Sequence, residues 1–314
     1  GIIETKKPTR KEGVRQLQSY MSATSCYWGV WTNGDEIEYI YRHLQTGEIK
    51  REYVYQIPKN GETFEDIGKV SKEHLKPASN LKAVFRRLLS TLYANTNISR
   101  REKLGNEMIR LIFCKIWDER YDKEALPKFR VGFEENPKEV AKRVHYLFDD
   151  VKNELVTDGV FDKNEDIKLE EKSIAYVVGE LEQYSLLKTN KDVVGDAFEV
   201  FAESKLVGEK GEFFTPREVV KTAVQIINPQ PGQTIVDPAC GSGGFLIYAL
   251  EHVWGLMEND RKYRGMSESD LSMAKSDLAR KTFFGIDKEM DLVKISKAYM
   301  AIIGDGRSGI TQQN

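Results

Sequence analysis

Three glycines in four residues, set just behind a β-rich run that ends in aspartate, constrain this chain more than any other feature. The segment is Ile235-Val236-Asp237-Pro238-Ala239-Cys240-Gly241-Ser242-Gly243-Gly244-Phe245. Thr234–Asp237 reads as a buried strand, and Gly244–Leu256 as a helix. Glycines let the backbone turn tightly and approach a ligand, and the helix N-terminus behind them offers free N–H groups and a positive dipole end. A second strand, Thr282–Asp287, ends in another aspartate 50 residues after Asp237, and a helix over Met290–Ile303 follows. Strand, helix, strand, helix is the pattern of an open parallel sheet that binds its ligand at the carboxyl ends of the strands. Asp287 is then placed to accept both hydroxyls of a ribose. The dinucleotide pattern GxGxxG is absent here, because the acidic residue comes first and no second glycine pair follows at that spacing.

The rest of the chain divides by periodicity into an α/β unit at residues 1–77, a helical unit at 78–189 and the glycine-loop unit at 190–314. In the first, Ile2–Thr5, Tyr27–Thr32 and Glu36–Tyr41 are strand-like, Lys11–Ala23 is a short helix, and Asn33-Gly34 signals a hairpin turn. Residues 61–77 are polar and read as a linker or capping segment. In the second, Leu81, Val84, Phe85, Leu88, Leu89 and Leu92 form one apolar helical stripe. Ser99-Arg100-Arg101-Glu102 is a capping box for the next helix, and Val140–Leu155 and Ser173–Leu186 continue the helical pattern. In the third, Asp196–Leu206 is helical, and Thr215 is placed as the N-cap of a helix from Pro216 to Ile227.

With 40% hydrophobic and 31% charged residues the composition is that of a globular protein, which excludes wholesale disorder. No apolar run approaches a membrane span, and no secretory leader opens the chain, so a cytoplasmic protein without membrane association is expected. Cys26, Cys114 and Cys240 are far apart, which gives no support to a zinc site or disulfide framework. Cys240 is expected to pack beneath the glycine loop rather than act as a nucleophile. A net charge of −2 makes no global case for nucleic acid. The local basic groups Lys6-Lys7, Arg10-Lys11, Arg15, Arg86-Arg87 and Arg100-Arg101-Lys103 offer only a modest one. Trp117 and Trp254 sit at core spacing.

The segment DPACGSGGF resembles motif I of the amino-methyltransferases that use S-adenosylmethionine. Phe213-Phe214-Thr215-Pro216-Arg217 resembles the FxTP motif of N6-adenine DNA methyltransferases, and Phe284-Gly285-Ile286-Asp287 the motif that grips the ribose. Their order is similar to that in the modification subunits of type I restriction systems and related fusion enzymes, whose helical N-terminal domain residues 81–187 also resemble. The resemblance implies a Rossmann-like methyltransferase domain. In it Phe214, Thr215 and Pro216 lie beside the methionyl part of the cofactor. Asp237, Ala239, Gly241 and Gly243 surround the amino acid moiety, and Asp287 binds the ribose. Gly304-Asp305-Gly306 reads better as a turn than as an adenine contact.

That family orients the adenine amine with an (N/D)PP(F/Y) tetrapeptide, which works by positioning. Asn136-Pro137-Lys138 and Asn228-Pro229-Gln230 are the Asn-Pro pairs of this sequence, and neither continues in that way. The tetrapeptide follows a later strand in the family. The chain is therefore expected to be part of a longer protein, to hold the cofactor half of the enzyme, and to methylate nothing alone.

Glu4 and Lys6 lie two apart on one strand face, and Gln16 and Tyr20 lie at i, i+4 on one helix face. A carboxylate and an ammonium so placed suit a site that holds Mg²⁺ and a water. With the Trp31-Thr32-Asn33-Gly34 segment, they resemble the PD-(D/E)xK nuclease fold as found at the N-terminus of type I restriction subunits. The resemblance implies Glu4 as a metal ligand and Lys6 as the residue that positions the attacking water. Gln16 and Tyr20 would contact the substrate strand or orient the site. The family uses a further aspartate upstream of Glu4, so no cleavage is expected from these residues alone. The implied partners are double-stranded DNA and a specificity subunit or C-terminal target-recognition domain. A modification-only enzyme, or a non-catalytic assembly subunit with a degenerate nuclease-like docking unit, is the alternative.

Overall fold

The computed structural model describes residues 1–7, 12–34, 37–43, 46–51, 57, 62–96, 101–155, 160–206, 215–303 and 309–313. It is a mixed α/β chain. The N-terminal unit holds β1 (Ile2–Thr5), α1 (Val14–Ala23), β2 (Trp28–Thr32), β3 (Ile37–Arg42) and β4 (Ile49–Arg51), in a sheet of order β1-β2-β3-β4. β1 runs parallel to β2, and β3 and β4 follow antiparallel. Register pairs Glu4 with Trp31 and Trp31 with Glu38, so these three side chains share one face. Helix α1 covers that face with Leu17 and Met21, and a Cβ on Gly29 would lie 2.6 Å from the Met21 sulfur. The β2–β3 hairpin forms, but Thr32 pairs with Ile37, so Asn33 and Gly34 are not by themselves the whole connection. Gly34 has φ +92°, and Thr32 Oγ1 accepts its N–H.

The opposite face of β3 docks on the helical unit. Tyr41 meets Phe64 and Phe133 edge-on at 5.5 and 5.3 Å, and His43 pairs with Glu134. Of the linker or capping segment read over residues 61–77, the described part packs into the fold. Ile67 and Leu75 are buried, and β5 (Lys76–Pro77) pairs in parallel with β6 (Tyr184–Ser185). Helices α2 (Leu81–Asn95), α3 (Arg101–Arg120), α4 (Pro137–Leu155) and α5 (Glu171–Leu181) make up the helical unit. The predicted stripe of α2 faces the core, with Leu89 half-buried and the rest buried. Asn80 caps α2 by accepting the Ala83 N–H at 3.1 Å. Ser99 and Arg100 of the predicted capping box lie outside the described residues. Helix α5 stops at Leu181, five residues short of the predicted end, because Tyr184–Ser185 are drawn out as β6.

The third unit comprises α6 (Lys191–Leu206), α7 (Arg217–Ile227), β7 (Ile235–Asp237), α8 (Gly244–Asn259), α9 (Glu268–Thr282), β8 (Phe283–Asp287), α10 (Met290–Ile303) and β9 (Ile310–Gln312). Its sheet is parallel, in the order β7-β8-β9. The edge of β8 away from β7 is occupied by β9, and the Gln313 N–H donates to the Asp287 carbonyl at 3.1 Å. One hydrophobic core runs from Ile67 to Ile310 through both the helical and the glycine-loop units. Glu165 ties them together further, accepting Arg110 of α3 at 2.7 Å and Lys294 of α10 at 2.9 Å. Among the described residues, no helix is long and apolar enough to cross a membrane.

Candidate functional site

The glycine loop is built by hydrogen bonds back to the strands beside it. The Cys240 N–H donates to the Ile286 carbonyl at 2.9 Å, and the Gly243 N–H to the Cys240 carbonyl at 2.8 Å. The Ala239 N–H donates to Asp237 Oδ1 at 3.1 Å. Asp287 accepts two backbone donors, Gly241 N–H at Oδ2 and Glu289 N–H at Oδ1, each at 2.9 Å. Gly241 and Gly243 have φ +54° and +86°, a region where side chains are strained. A Cβ on Gly241 or Gly244 would meet nothing within 4 Å, whereas one on Gly243 would lie 2.3 Å from Ser296 Oγ. Thus Gly241 and Gly244 leave an open side, and Gly243 lets α10 pack tightly beneath the loop.

The open side faces a cavity of about 570 Å³. The strand ends and loop contribute Asp237, Ala239, Gly241 and Asp287 to its wall, and the helices contribute Arg217, Phe245, Tyr248 and Tyr299. That volume falls within the range of small-molecule sites. Asp237 is half-buried, and burial raises its carboxyl pKa, helped by the charge of Asp287 and opposed by the Ala239 N–H. Cys240 is buried with its thiol pushed up to about 12, chiefly by burial. It packs under the loop, 3.1 Å from where a Cβ on Gly285 would stand, and its raised pKa disfavours the thiolate.

Of the predicted cofactor residues, Thr215, Asp237, Ala239, Gly241 and Asp287 line this cavity. Gly243 lies beneath it, and Pro216 is the N-cap residue of α7. The helix begins at Arg217 rather than Pro216, since Pro216 is extended at ψ 135°, and no side chain caps it. Phe214 and Asp305 lie outside the described residues. Sequence reasoning missed the work of Arg217. Its guanidinium holds Asp196 at 2.8 Å and Glu199 at 3.2 Å and reaches the Asp192 carbonyl at 2.5 Å, which pins the start of α7 to α6. Tyr248 donates to Asp192 from the other side. The sequence shows an arginine directly after Thr-Pro and the acids Asp192, Asp196 and Glu199 on the preceding helix, but nothing that turns them toward it.

The four N-terminal candidates also come together. Lys6 Nζ lies 2.7 Å from Glu4 Oε1 and donates to Gln16 Oε1 at 3.1 Å, and Gln16 Nε2 donates to the Tyr20 hydroxyl at 2.5 Å. Trp31, buried on the same sheet face, has its indole nitrogen against Gly13 beside the Lys6 stem. Among the described residues, no three His, Cys, Asp or Glu side chains gather to hold a metal. Glu4 is one carboxylate already paired with an ammonium, so these residues do not by themselves make a Mg²⁺ site. The basic candidates scatter. Arg87 is spent on buried Glu180, while Lys7, Arg15, Arg86 and Lys103 are exposed. Arg10, Lys11 and Arg100 lie outside the described residues.

Residues 189–309 match the family of N-6 DNA methylases. The methylase subunit of the type I restriction enzyme EcoEI from Escherichia coli is 44% identical over 64 residues, 20% of this chain and 13% of that protein. The type II restriction enzyme and methyltransferase RM.BcgI from Heyndrickxia coagulans is 28% identical over 130 residues, covering 40% of this chain and 18% of that protein. The methylase subunit of the type I restriction enzyme EcoKI from Escherichia coli K12 is 30% identical over 164 residues, 47% of this chain and 30% of that protein. The matched stretches thus span no more than 30% of the length of these relatives.

Proposed function

We propose that residues 190–314 bind S-adenosylmethionine and form the cofactor half of an N6-adenine DNA methyltransferase that works in a restriction–modification system. The observation that carries this reading is the pair Asp237 and Asp287, set at the ends of adjacent parallel strands around the glycine loop and its 570 Å³ cavity. The residues present fit the cofactor. Gly241 and Gly244 give a backbone surface with no side chain in the way, and half-buried Asp237 offers a carboxylate to an ammonium. Asp287 keeps lone pairs beyond its two backbone donors for ribose hydroxyls. The cofactor supplies an electrophilic methyl group on a sulfonium. The chain's own part is to bind and orient it: Asp287 fixes the loop, Phe245 presents a ring to the cavity, and Arg217 fixes α7, which begins two residues after Thr215. The amine-orienting (N/D)PP(F/Y) tetrapeptide does not occur in this sequence. Equilibrium dialysis tests the reading. S-adenosylmethionine and S-adenosylhomocysteine are expected to compete for one site, and NAD⁺ is not. Competition by NAD⁺ alone would mean an ordinary dinucleotide fold.

For the N-terminal unit we infer a PD-(D/E)xK-like nuclease module, supported by the convergence of Glu4, Lys6, Gln16 and Tyr20. Double-stranded DNA is its substrate, Mg²⁺ its metal once further ligands join Glu4, and a specificity subunit or target-recognition domain its source of sequence choice. The single lysine-paired carboxylate favours a second reading, a degenerate unit used for docking DNA or a subunit. Mg²⁺-dependent cleavage by a longer gene product, abolished by Glu4→Ala, separates the two.

A further inference from the structure

An amide side chain has one accepting and one donating end, and its neighbours decide which way it faces. Gln16 sits between Lys6, whose ammonium only donates, and the Tyr20 hydroxyl, which both accepts and donates. In the fold Oε1 meets Lys6 at 3.1 Å and Nε2 meets Tyr20 at 2.5 Å. With Nε2 satisfied by Tyr20, Oε1 is turned to Lys6, and the ammonium is held between Oε1 and the Glu4 carboxylate 2.7 Å away. The stem of Lys6 passes where Gly13 has no side chain, since a Cβ there would stand 2.8 Å from Lys6 Cε. Gln16 and Tyr20 are one turn apart on α1, so a single helix sets both links. Tyr20 is 43% exposed and its hydroxyl is linked to Lys6 through the Gln16 amide, so its ring contributes little to the core.

We propose that Tyr20 is a positioning residue that acts on Lys6 through the orientation of the Gln16 amide, rather than by touching the nucleic-acid strand. This deepens the nuclease reading and rests on Lys6 being the working amine beside Glu4. A carboxylate at position 16 has two equivalent accepting oxygens and needs no orienting. Gln16→Glu therefore makes Tyr20 dispensable.

The test is acylation of Lys6 in this 314-residue chain by an amine-reactive ester at one fixed pH, followed by peptide mass spectrometry, with circular dichroism as the check of folding. Tyr20→Phe is expected to speed acylation of Lys6 by about fivefold, the effect of losing one ordinary hydrogen bond. In a Gln16→Glu background the same Tyr20→Phe change is expected to leave the rate unaltered. Equal acceleration in both backgrounds would mean that Tyr20 shields Lys6 directly and would overturn the proposal, as would no acceleration in either. Cleavage is not the readout, so failure of the nuclease reading in a longer protein stays distinguishable from failure of this link.

Discussion

Asp287 Oδ2 accepts the Gly241 N–H at 2.9 Å, across 46 residues of sequence. The carboxylate at the end of β8 thereby holds the turn that follows β7. Its other oxygen accepts the Glu289 N–H that leads into α10. One side chain thus sets the loop, the strand end and the next helix before any ligand binds, so a ribose would meet an acceptor already fixed in place.

Gly243 tests how tightly α10 supports that loop. Its φ is +86°, and a Cβ would lie 2.3 Å from Ser296 Oγ and 3.3 Å from Ser296 Cβ. Gly243→Ala is expected to destabilise the chain by about 2–4 kcal/mol in urea unfolding, combining left-handed strain with overpacking. Adding Ser296→Ala removes the nearer contact and is expected to recover about 1 kcal/mol, leaving the backbone cost. A double variant no more stable than Gly243→Ala would place the whole effect in the backbone.

Asp237 gives a pH dependence with two opposite signs. Its raised pKa means that the fold favours the neutral acid, so its contribution to stability is lost as pH rises through the raised value. Binding of the cofactor ammonium favours the charged form, so affinity is expected to fall as pH drops through that same value. Asp237→Asn keeps an oxygen for the Ala239 N–H. It is expected to raise the melting temperature of the free chain at neutral pH while weakening S-adenosylmethionine and flattening its pH profile. Weakening with an unchanged profile would assign the titration to another group.

Glu182 is buried near Lys115, accepts the Val131 N–H at 2.6 Å, and has its carboxyl raised to about 8, chiefly by burial. The unfolded chain ionises it near the ordinary glutamate value of 4.5, so stability is expected to decline between about pH 4.5 and 8. Glu182→Gln preserves the acceptor and removes the decline. At pH 8 it is expected to be more stable than the wild type by on the order of 2–4 kcal/mol, read from urea midpoints at several pH values. Parallel pH curves for the two proteins would show that Glu182 ionises freely in the fold.

The elements legible in the sequence are those whose signal is local. The stripe of α2, the strands ending at Asp237 and Asp287, and the glycine turn between β7 and α8 all declare themselves within a dozen residues. What was missed depends on partners distant in sequence. β9 is three residues long and exists by pairing with β8, while β5 and β6 are two residues each, joined across more than 100 positions. Helix α9 buries little beyond Ala279, so its apolar period is faint. Arg217 stood inside a recognised motif, yet its acids lie on α6, and nothing in the sequence says that they turn toward it. Glu4, Lys6, Gln16 and Tyr20 were legible as two short spacings, but their joining into one chain of contacts needed α1 laid across β1 and β2.

Calorimetric titration of this chain with S-adenosylmethionine, with Asp287→Ala as the comparison, tests whether Asp287 closes a cofactor pocket. Saturable one-to-one binding is expected, weakened by about 1–3 kcal/mol in the variant, the range for losing a charge-assisted hydrogen bond. No heat at millimolar cofactor from a folded chain, or equal affinity in wild type and variant, would contradict it.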